Sequence, residues 1–421
     1  MRFAKLIVFI CGLCISLSAN AESCKEYWRK ILPKGMYQYD FGKDSRLTNL
    51  GNQGYENYSK RVNRKKCLKE WTVLIYMAAD NDLTPFALWD LFEIEAGFKS
   101  ASSAAASSSK IDVVVQLDTK ARSGVRRYHL FETDVKYQTF SKEDFSKRSE
   151  TQVQSPIVQW FQEDDGKSEA KRLSDFLEWG IRAYPSRHYL VITWGHGQGW
   201  TAYKPLHRSR SEFASSGKFK FELNKLDVSL SKRRSRGDEP GLFGGLAFDD
   251  SSKSYLDLRS LRNVLEHVSR KVGKKIDVYA SDACLMQTVE VIAELSNATR
   301  YAIGSNQVQN FLGLPYRRLF YEMNRGILSK SGDQAHALAS LIPLLMKRSM
   351  HPTKGLQGRI DPDGAKYLLM SAVNSEEIRH QLLPTLYKLS VSIEAYLKED
   401  SRRKDDLEFV IQSTPAFPGS G

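Results

Sequence analysis

The sequence predicts an α/β fold: a mainly parallel β-sheet flanked by helices on both faces, followed by a helical C-terminal extension. Three observations indicate this fold. Continuous apolar runs recur along the chain, as is typical of strands that are buried on both faces. Stretches with helical spacing separate these runs, and repeated strand–helix–strand order favours a parallel sheet. After residue 332 the spacing is helical, which predicts the extension.

The first half of the chain provides four predicted strands and two predicted helices. The strands are the apolar or alternating runs at 71–78, 111–117, 124–133 and 189–194. The helices have apolar residues every three or four positions and lie at 83–98 and 170–184. Pro85 falls in the first turn of one helix, where proline is tolerated, and Pro185 ends the other. Residues 136–167 are polar and ambiguous.

The second half continues the same alternation after a Gly-rich segment at 237–250. The predicted strands are 276–282 and 300–305, and the predicted helices are 256–268, 287–295, 335–346 and 376–397. We therefore divide the chain after residue 21 into an N-terminal arm or pro-segment (22–69), an α/β domain (70–325) and a helical C-terminal region (326–421).

Residues 1–21 are typical of a secretory signal peptide. Arg2 and Lys5 form a positive start, residues 6–17 are apolar but too short to span a bilayer, and Ala21 ends a small-residue cleavage site. We expect cleavage after Ala21 and a secreted or periplasmic protein. An uncleaved membrane anchor is the alternative. The mature chain contains no predicted transmembrane segment.

The five cysteines fit an oxidising compartment. Cys11 and Cys14 leave with the signal peptide, and the simplest pairing of the remainder is a disulfide between Cys24 and Cys67. Cys284 is then an odd thiol. An unpaired thiol in a secreted protein suggests chemistry, although a buried structural cysteine fits the count equally well.

The chain is basic, with a net charge of +13. Such a surplus can indicate binding to nucleic acid or to an anionic surface. We find no zinc-finger spacing, RNP motif or recognition-helix pattern, and we expect no nucleic acid partner. Residues 204–236 contain ten Lys or Arg and three acidic residues, together with many serines. This composition predicts an exposed, mobile basic loop, which is the main source of the charge.

Two of the predicted strands end in reactive side chains. His196 follows the run at 189–194, and Cys284 follows the run at 276–282. Because the carboxyl ends of parallel strands meet at one edge of a sheet, we expect these residues to lie together, with His196 as the base that a cysteine nucleophile needs. We also expect the N-terminus of the helix at 287–295 to lower the pKa of Cys284. The alternative is a core histidine beside a buried thiol.

Three motifs resemble those of the clostripain (C11) family of cysteine peptidases, in the caspase and gingipain clan. They are WTVLIYMAADNDL at 71–83, WGHG at 194–197 and DACLM at 282–286, in this order and each at the end of an apolar run. The resemblance runs from about residue 70 to 315 and more weakly to about 398. It implies that the sheet has a caspase-like arrangement.

The resemblance also implies roles for individual residues. Cys284 would be the nucleophile and His196 the general acid and base, while the backbone N–H groups of Gly197 and Cys284 would hold the oxyanion. A side chain at Gly197 would obstruct the substrate. Asp282 would line the S1 pocket and select Arg or Lys at P1, so the partners would be peptides or proteins with a basic P1. A structural hydrogen bond is the alternative role for Asp282. Asn306 and Gln307 replace the acidic pair of many relatives.

If the enzyme prefers a basic P1 residue, the basic loop at 204–236 becomes a possible substrate of the enzyme itself. We expect self-cleavage after Arg233, Arg234 or Arg236, which would produce a two-chain enzyme, whereas a merely charged loop is the alternative.

Cofactors follow only from the resemblance. Clostripain is calcium-dependent, so the resemblance leaves calcium open as a cofactor and requires none. Asp80, Asp82, Asp249 and Asp250 could supply oxygen ligands but lack EF-hand spacing. The acids at 80–82 also fit a helix cap or an acidic wall of a substrate cleft.

The leading interpretation is a secreted cysteine endopeptidase. A competing interpretation is a non-catalytic, basic surface-binding protein on a degenerate peptidase scaffold. The sequence predicts neither the natural substrate nor the oligomeric state.

Overall fold

The computed structural model describes a defined set of residues. They are 69–98, 111–120, 122–130, 150, 153, 155, 157–161, 167–200, 244–309, 312–349, 370–400 and 403–413. The predicted signal peptide, the Cys24–Cys67 disulfide and the basic loop at 204–236 with Arg233, Arg234 and Arg236 all lie outside these residues. Nearly all of the predicted arm at 22–69 does as well.

The described residues form ten strands. In chain order these are β1 (Lys69–Ala79), β2 (Ile111–Thr119), β3 (Arg122–Leu130), β4 (Ile157–Phe161), β5 (Ser186–Trp194), β6 (Gly245–Asp249), β7 (Ser254–Asp257), β8 (Ile276–Asp282), β9 (Thr299–Ser305) and β10 (Met370–Asn374). Eight of them form one sheet in the order β10-β9-β8-β5-β1-β2-β3-β4, and β6 and β7 form a separate antiparallel hairpin.

The structure contains nine α-helices in its described residues. They are α1 (Thr84–Gly97), α2 (Glu169–Ala183), α3 (Leu258–Val272), α4 (Val289–Leu295), α5 (Tyr316–Asn324), α6 (Gln334–Ser349), α7 (Ser375–Glu377), α8 (Leu383–Glu399) and α9 (Arg403–Ser413). A 3₁₀ turn at Leu328–Lys330 precedes α6, and a π-helical turn at Ile378–Leu382 joins α7 to α8.

The five central strands are parallel. β1 pairs with β2 and β5, β5 pairs with β8, and β8 pairs with β9, all in parallel register. β1 is buried from Trp71 to its end, which explains its continuous apolar sequence. Towards the edges the pairing becomes antiparallel, between β2 and β3, between β3 and β4, and between β9 and β10. The predicted α/β fold with a mainly parallel sheet is confirmed.

Each face of the sheet is covered by helices. Val73, Ile75 and Met77 of β1 point to the face covered by α1, α5 and α6. Leu74 and Tyr76 point to the opposite face, where they pack with residues of α2, α3 and α4. Burying one such aliphatic side chain contributes about 1.5–3 kcal/mol, so this alternation fixes β1 in the middle of the domain.

Helix boundaries follow local capping chemistry. Ser168 caps α2 by accepting a hydrogen bond from the Lys171 N–H, and Asp257 caps α3 by accepting one from the Ser260 N–H at 2.9 Å. Gly273 ends α3 in the left-handed region with φ of 78°. Pro85 lies in the first turn of α1, as predicted.

Sequence patterns missed β4, the β6–β7 hairpin and β10. These strands have only four or five residues each and lack the long apolar runs of the central strands. β10 pairs with β9, so the sheet continues into the region predicted as helical, and the boundary at residue 325 stays a prediction. No helix within the described ranges is both long and apolar enough to cross a membrane.

Candidate active site

The register of β5 and β8 brings the two predicted catalytic segments together. Trp194 lies opposite Asp282, so His196 and Cys284 each follow the paired position by two residues. The Gly195 N–H donates a hydrogen bond to the Asp282 carbonyl at 3.2 Å, which extends the pairing beyond β5. The segments therefore leave the same edge of the sheet side by side.

Gly197 contacts the backbone of the predicted nucleophile. A Cβ atom at Gly197 would lie 2.4 Å from the Cys284 carbonyl oxygen and 3.0 Å from the Ala283 side chain. Real Cβ atoms do not approach other heavy atoms so closely. We expected glycine here in order to leave room for a substrate, but the packing of the two turns against each other already requires it.

The backbone N–H groups proposed for the oxyanion are available. Within the described ranges, the N–H groups of Gly197 and Cys284 donate to no other residue. The neighbouring groups are engaged instead, because the Gln198 N–H donates to Gly245 at 2.9 Å and the Ala247 N–H donates to the His196 carbonyl at 3.0 Å. The β6–β7 hairpin thus fixes the turn without occupying Gly197.

His196 has a carboxylate partner. Its Nε2 lies 2.7 Å from Oδ1 of Asp82, which follows β1. The Asp82 side chain is 61% exposed and that of His196 is 34% exposed. The hydrogen bond from His196 lowers the pKa of Asp82, and partial burial opposes this shift. Asp82 was expected in a helix cap, a cleft wall or a calcium site, and its role beside His196 was missed.

The loop that carries Asp82 is held at several points. The Asn81 side chain donates to the carbonyls of Ala78 and Phe248 at 3.1 and 2.7 Å and accepts the Leu83 N–H at 2.9 Å. The Asp250 N–H donates to the carbonyl of residue 80 at 2.8 Å. The hairpin therefore contacts both this loop and the turn of His196.

Cys284 does not lie at a helix N-terminus. α4 begins at Val289, and Cys284 occupies a turn before it. Burial raises the pKa of the thiol, the Gln309 N–H at 3.2 Å from Sγ lowers it, and the charge of Asp282 raises it further. The predicted lowering of the Cys284 pKa by a helix dipole is wrong, since burial is the larger effect.

Leu285, the residue after Cys284, has an unusual backbone conformation. Its φ of 63° lies in the left-handed region, which costs a residue with a side chain about 1 kcal/mol. The Leu285 N–H donates to the Gln307 carbonyl at 3.2 Å, which holds this turn against the segment after β9. Backbone strain immediately after a reactive residue is a frequent feature of active sites.

Asp282 is buried and bound by the segment after β9. Its side chain accepts hydrogen bonds from Gln309 Nε2, from the Leu314 N–H at 3.0 Å and from the Tyr316 hydroxyl at 2.8 Å. Only 5% of Asp282 is exposed. In this structure Asp282 has the alternative role given above, because it accepts structural hydrogen bonds from the strand-end loop.

The four carboxylates considered for calcium do not form a common site. Asp82 binds His196, Asp249 accepts from Arg172 and the Ser252 N–H, and Asp250 pairs with Lys120. No group of three or more His, Cys, Asp or Glu residues in the described ranges is arranged to hold a metal ion. The described residues thus show no site for calcium, which stays a prediction of the resemblance.

A buried acidic group lies beneath the loop of Asp82. The Asp80 carboxylate is buried and neither of its oxygens has a hydrogen-bond partner in the described part of the chain. Burial, together with the charge of Asp249, raises the pKa of Asp118 to about 7, and Asp80 adds to this shift. The raised pKa makes Asp118 a source of pH-dependent stability.

A protein-family model matches the part of the chain that carries this site. The peptidase C11 model, described as the clostripain family, matches residues 75–233 and 236–342, which is more than half of the chain. The chain belongs to the clostripain family. It is therefore a cysteine-type peptidase by family, and its substrates are peptides or proteins. The matched ranges include His196, Cys284 and Asp82.

Two solved structures illustrate the likeness to clostripain-family proteins. One is a secreted C11 cysteine protease from Bacteroides thetaiotaomicron in complex with an irreversible peptide inhibitor, with 19% identity, a TM-score of 0.45, and coverage of 74% of this chain and 67% of that one. The other is an inactive zymogen C11 protease from Parabacteroides distasonis, with 15% identity, the same TM-score, and coverage of 74% and 64%. The chain thus spans about two thirds of each. A comparison with curated proteins finds no match.

Proposed function

We propose that this protein is a secreted cysteine endopeptidase that hydrolyses peptide bonds after Arg or Lys, with His196 and Cys284 as its catalytic dyad. The observation that carries this proposal is the contact between the His196-Gly197 turn and the backbone of Cys284. Parallel pairing of β5 and β8 supports it, because that pairing places both turns at the edge of the sheet where α/β enzymes bind ligands.

The chemistry follows from these groups. The Cys284 thiol passes its proton to His196, and the thiolate attacks the scissile carbonyl carbon. The N–H groups of Gly197 and Cys284 hold the resulting oxyanion. The C–N bond breaks as the imidazolium gives its proton to the leaving amine, which leaves a thioester. Water then attacks the thioester, His196 takes the water proton, and the sulfur leaves and is reprotonated as the new carboxylate departs.

Selection of a basic P1 residue would use Asp282. A carboxylate can bind a guanidinium through two hydrogen bonds, and Asp282 lies two residues before the nucleophile. Its present donors include the Gln309 side chain, which thus lies where a P1 side chain would bind. A substrate Arg or Lys reaches Asp282 only when Gln309 withdraws.

Secretion and self-processing belong to the same proposal. The signal-like residues 1–21 support export, and the basic residues Arg233, Arg234 and Arg236 match the proposed preference. Self-cleavage there would separate His196 and Cys284 onto two chains. An active enzyme that migrates as one intact band on a denaturing gel would refute self-cleavage alone.

The competing function is surface binding without catalysis. It rests on the net charge of +13 and on the raised pKa of Cys284, which lowers the thiolate fraction at neutral pH. The hydrogen bond between Asp82 and His196 favours the peptidase, since a surface that only binds has no need for an imidazole held by a carboxylate.

The deciding experiment measures hydrolysis of fluorogenic arginyl and lysyl peptides. We expect turnover by the wild type and losses of at least about 1,000-fold in Cys284→Ala and His196→Ala, because the dyad acts as a unit. His267→Ala is the matched control, because His267 is a surface histidine of α3 that pairs with Glu178. Wild-type protein without turnover, or full turnover by Cys284→Ala, would overturn the proposed function.

A further inference from the structure

Given the proposed function, we propose that Asp82 is a positioning residue of the peptidase reaction, whose carboxylate holds the His196 ring so that Nδ1 exchanges protons with Cys284 and the substrate. The direct observation is the 2.7 Å hydrogen bond between Asp82 Oδ1 and His196 Nε2. The proposal makes the site a relay of carboxylate, imidazole and thiol.

Sheet order places the three groups in sequence. β5, which precedes His196, lies between β1 and β8. Asp82 follows β1 on one side of it, and Cys284 follows β8 on the other. The strand that leads to His196 is therefore flanked by the strands that lead to Asp82 and to Cys284, which is the order that a proton relay needs.

The hydrogen bond selects one tautomer of the ring. An ionised carboxylate only accepts hydrogen bonds, so Nε2 carries the proton that it donates to Asp82. Nδ1 then has a free lone pair and can take the thiol proton. When His196 is doubly protonated, Asp82 also stabilises the imidazolium and keeps the ring from turning away.

The surrounding structure makes this contact persistent. An exposed ion pair on flexible side chains contributes only about 0–1 kcal/mol, largely because ordering the side chains costs entropy. Here, however, Asn81 holds the loop of Asp82 through three hydrogen bonds, and the Ala247 N–H holds the His196 carbonyl. Both ends of the pair are thus fixed by the β6–β7 hairpin.

Among the described residues, Lys120, Cys284 and Asp282 are the other charged or titratable groups considered beside this pair. Lys120 acts on Asp82 through space while it binds Asp250, and on the side of β8 the groups are Cys284 and Asp282. Asp282 has its own donors in the segment after β9. The structure therefore assigns Asp82 as the carboxylate that contacts the imidazole.

The test compares Asp82→Asn with Asp250→Asn. Asp250 is a suitable control because its side chain is similarly exposed, it lies at the same edge, and it binds Lys120 instead of His196. We expect kcat for an arginyl or lysyl peptide to fall about 10- to 100-fold in Asp82→Asn with KM changed less than about threefold, because positioning affects proton transfer rather than binding. Asp82→Glu should recover part of the loss, and Asp250→Asn should stay within about twofold of wild type.

A second measurement separates positioning from a structural role. The rate of Cys284 alkylation by iodoacetamide at neutral pH should fall in Asp82→Asn while the thermal midpoint is unchanged, and Asp82→Ser should behave in the same way. A kcat of Asp82→Asn within about twofold of an active wild type would overturn the role of Asp82. An inactive wild type would instead refute the proposed function.

Discussion

The carboxylates on the two sides of the candidate active site differ sharply in their access to solvent. On the side of β1 and β5, His196 and Asp82 are both substantially exposed and contact each other. On the side of β8, Asp282 is buried, and Cys284 is half-buried beside the backbone N–H of Gln309. Both sides belong to one sheet edge, and the segment that follows β9 binds side chains of the second.

This difference indicates that ionisation of the Cys284 thiol limits the reactivity of the site. The base is open and already has its partner, whereas burial raises the pKa of the thiol and so reduces the thiolate available at neutral pH. The same segment that covers Cys284 also occupies Asp282. Activity should therefore depend on movement of the segment after β9, in addition to the contacts that hold His196.

Catalytic activity should be most sensitive to substitution at Gly197, where the two sides contact each other. Gly197→Ala places a methyl group 2.4 Å from the Cys284 carbonyl, so one of the turns must move. We expect kcat/KM for a basic peptide to fall more than about 100-fold, since small displacements of catalytic groups are costly.

Gly332→Ala is the control for this change, because a Cβ atom at Gly332 has no neighbour within 4 Å. It should leave kcat/KM unchanged. If Gly197→Ala retained wild-type activity, the two turns would not need to pack as the structure has them.

The buried side predicts a stability effect at Asp282. Asp282→Ala removes the acceptor of the Leu314 N–H and the Tyr316 hydroxyl, so buried donors lose their partner. We expect the free energy of unfolding to fall by about 2–4 kcal/mol, as measured by chemical denaturation. Asp250→Ala, at an exposed carboxylate, should change it by less than about 0.5 kcal/mol. A change of P1 preference with full stability would mean that Asp282 serves only the substrate.

On the open side, the raised pKa of a nearby acid makes the stability of the protein depend on pH. Asp118 has a folded pKa of about 7, above the ordinary value of 3.8. Between these values the folded state binds more protons than the unfolded state, so stability is lost as pH rises from about 4 to 7. Asp118→Asn removes this dependence.

We therefore expect Asp118→Asn to gain about 1–3 kcal/mol over wild type at pH 8 relative to pH 4, since one pKa unit corresponds to about 1.4 kcal/mol. Denaturation curves at the two pH values measure the difference. Equal pH dependence of the two proteins would contradict the raised pKa.

The smallest expected effect is at Gln309. Gln309→Ala frees Asp282 from one donor but leaves the backbone N–H beside Cys284 in place. KM for arginyl or lysyl peptides should fall about three- to tenfold, because an internal competitor is removed. Gln307→Ala is the control, since Gln307 binds Leu285 and Ser305 through its backbone. An unchanged KM in Gln309→Ala would mean that the carboxamide does not compete with substrate.

Much of the fold was predictable because long apolar strands carry a strong pattern. β1, β5 and β8 are such strands, and their parallel order led directly to His196 and Cys284. Short strands such as β4 and β10 have too few residues to show a period. The missed β6–β7 hairpin mattered most, because its contacts depend on backbone groups that a sequence does not reveal.

Within the site, no sequence pattern pointed to Gln309, because its contacts depend on how the segment after β9 folds back. Asp82 was different. The loop after β1 was expected near the cleft, and adjacency of β1 and β5 would have placed its acids beside His196. The expected low pKa of Cys284 failed because the helix begins at Val289, five residues too late for its dipole to matter.

The β6–β7 hairpin gains a further significance if the chain is cut in the basic loop. A break at 233–236 would leave the hairpin on the same fragment as Cys284, while Asp82 and His196 would stay on the other. The acid–base pair of one polypeptide would then be aligned by the second polypeptide, through Ala247, Phe248 and Asp250. Neither fragment could assemble the reacting groups alone, so the processed enzyme would act as an obligate heterodimer derived from one gene product.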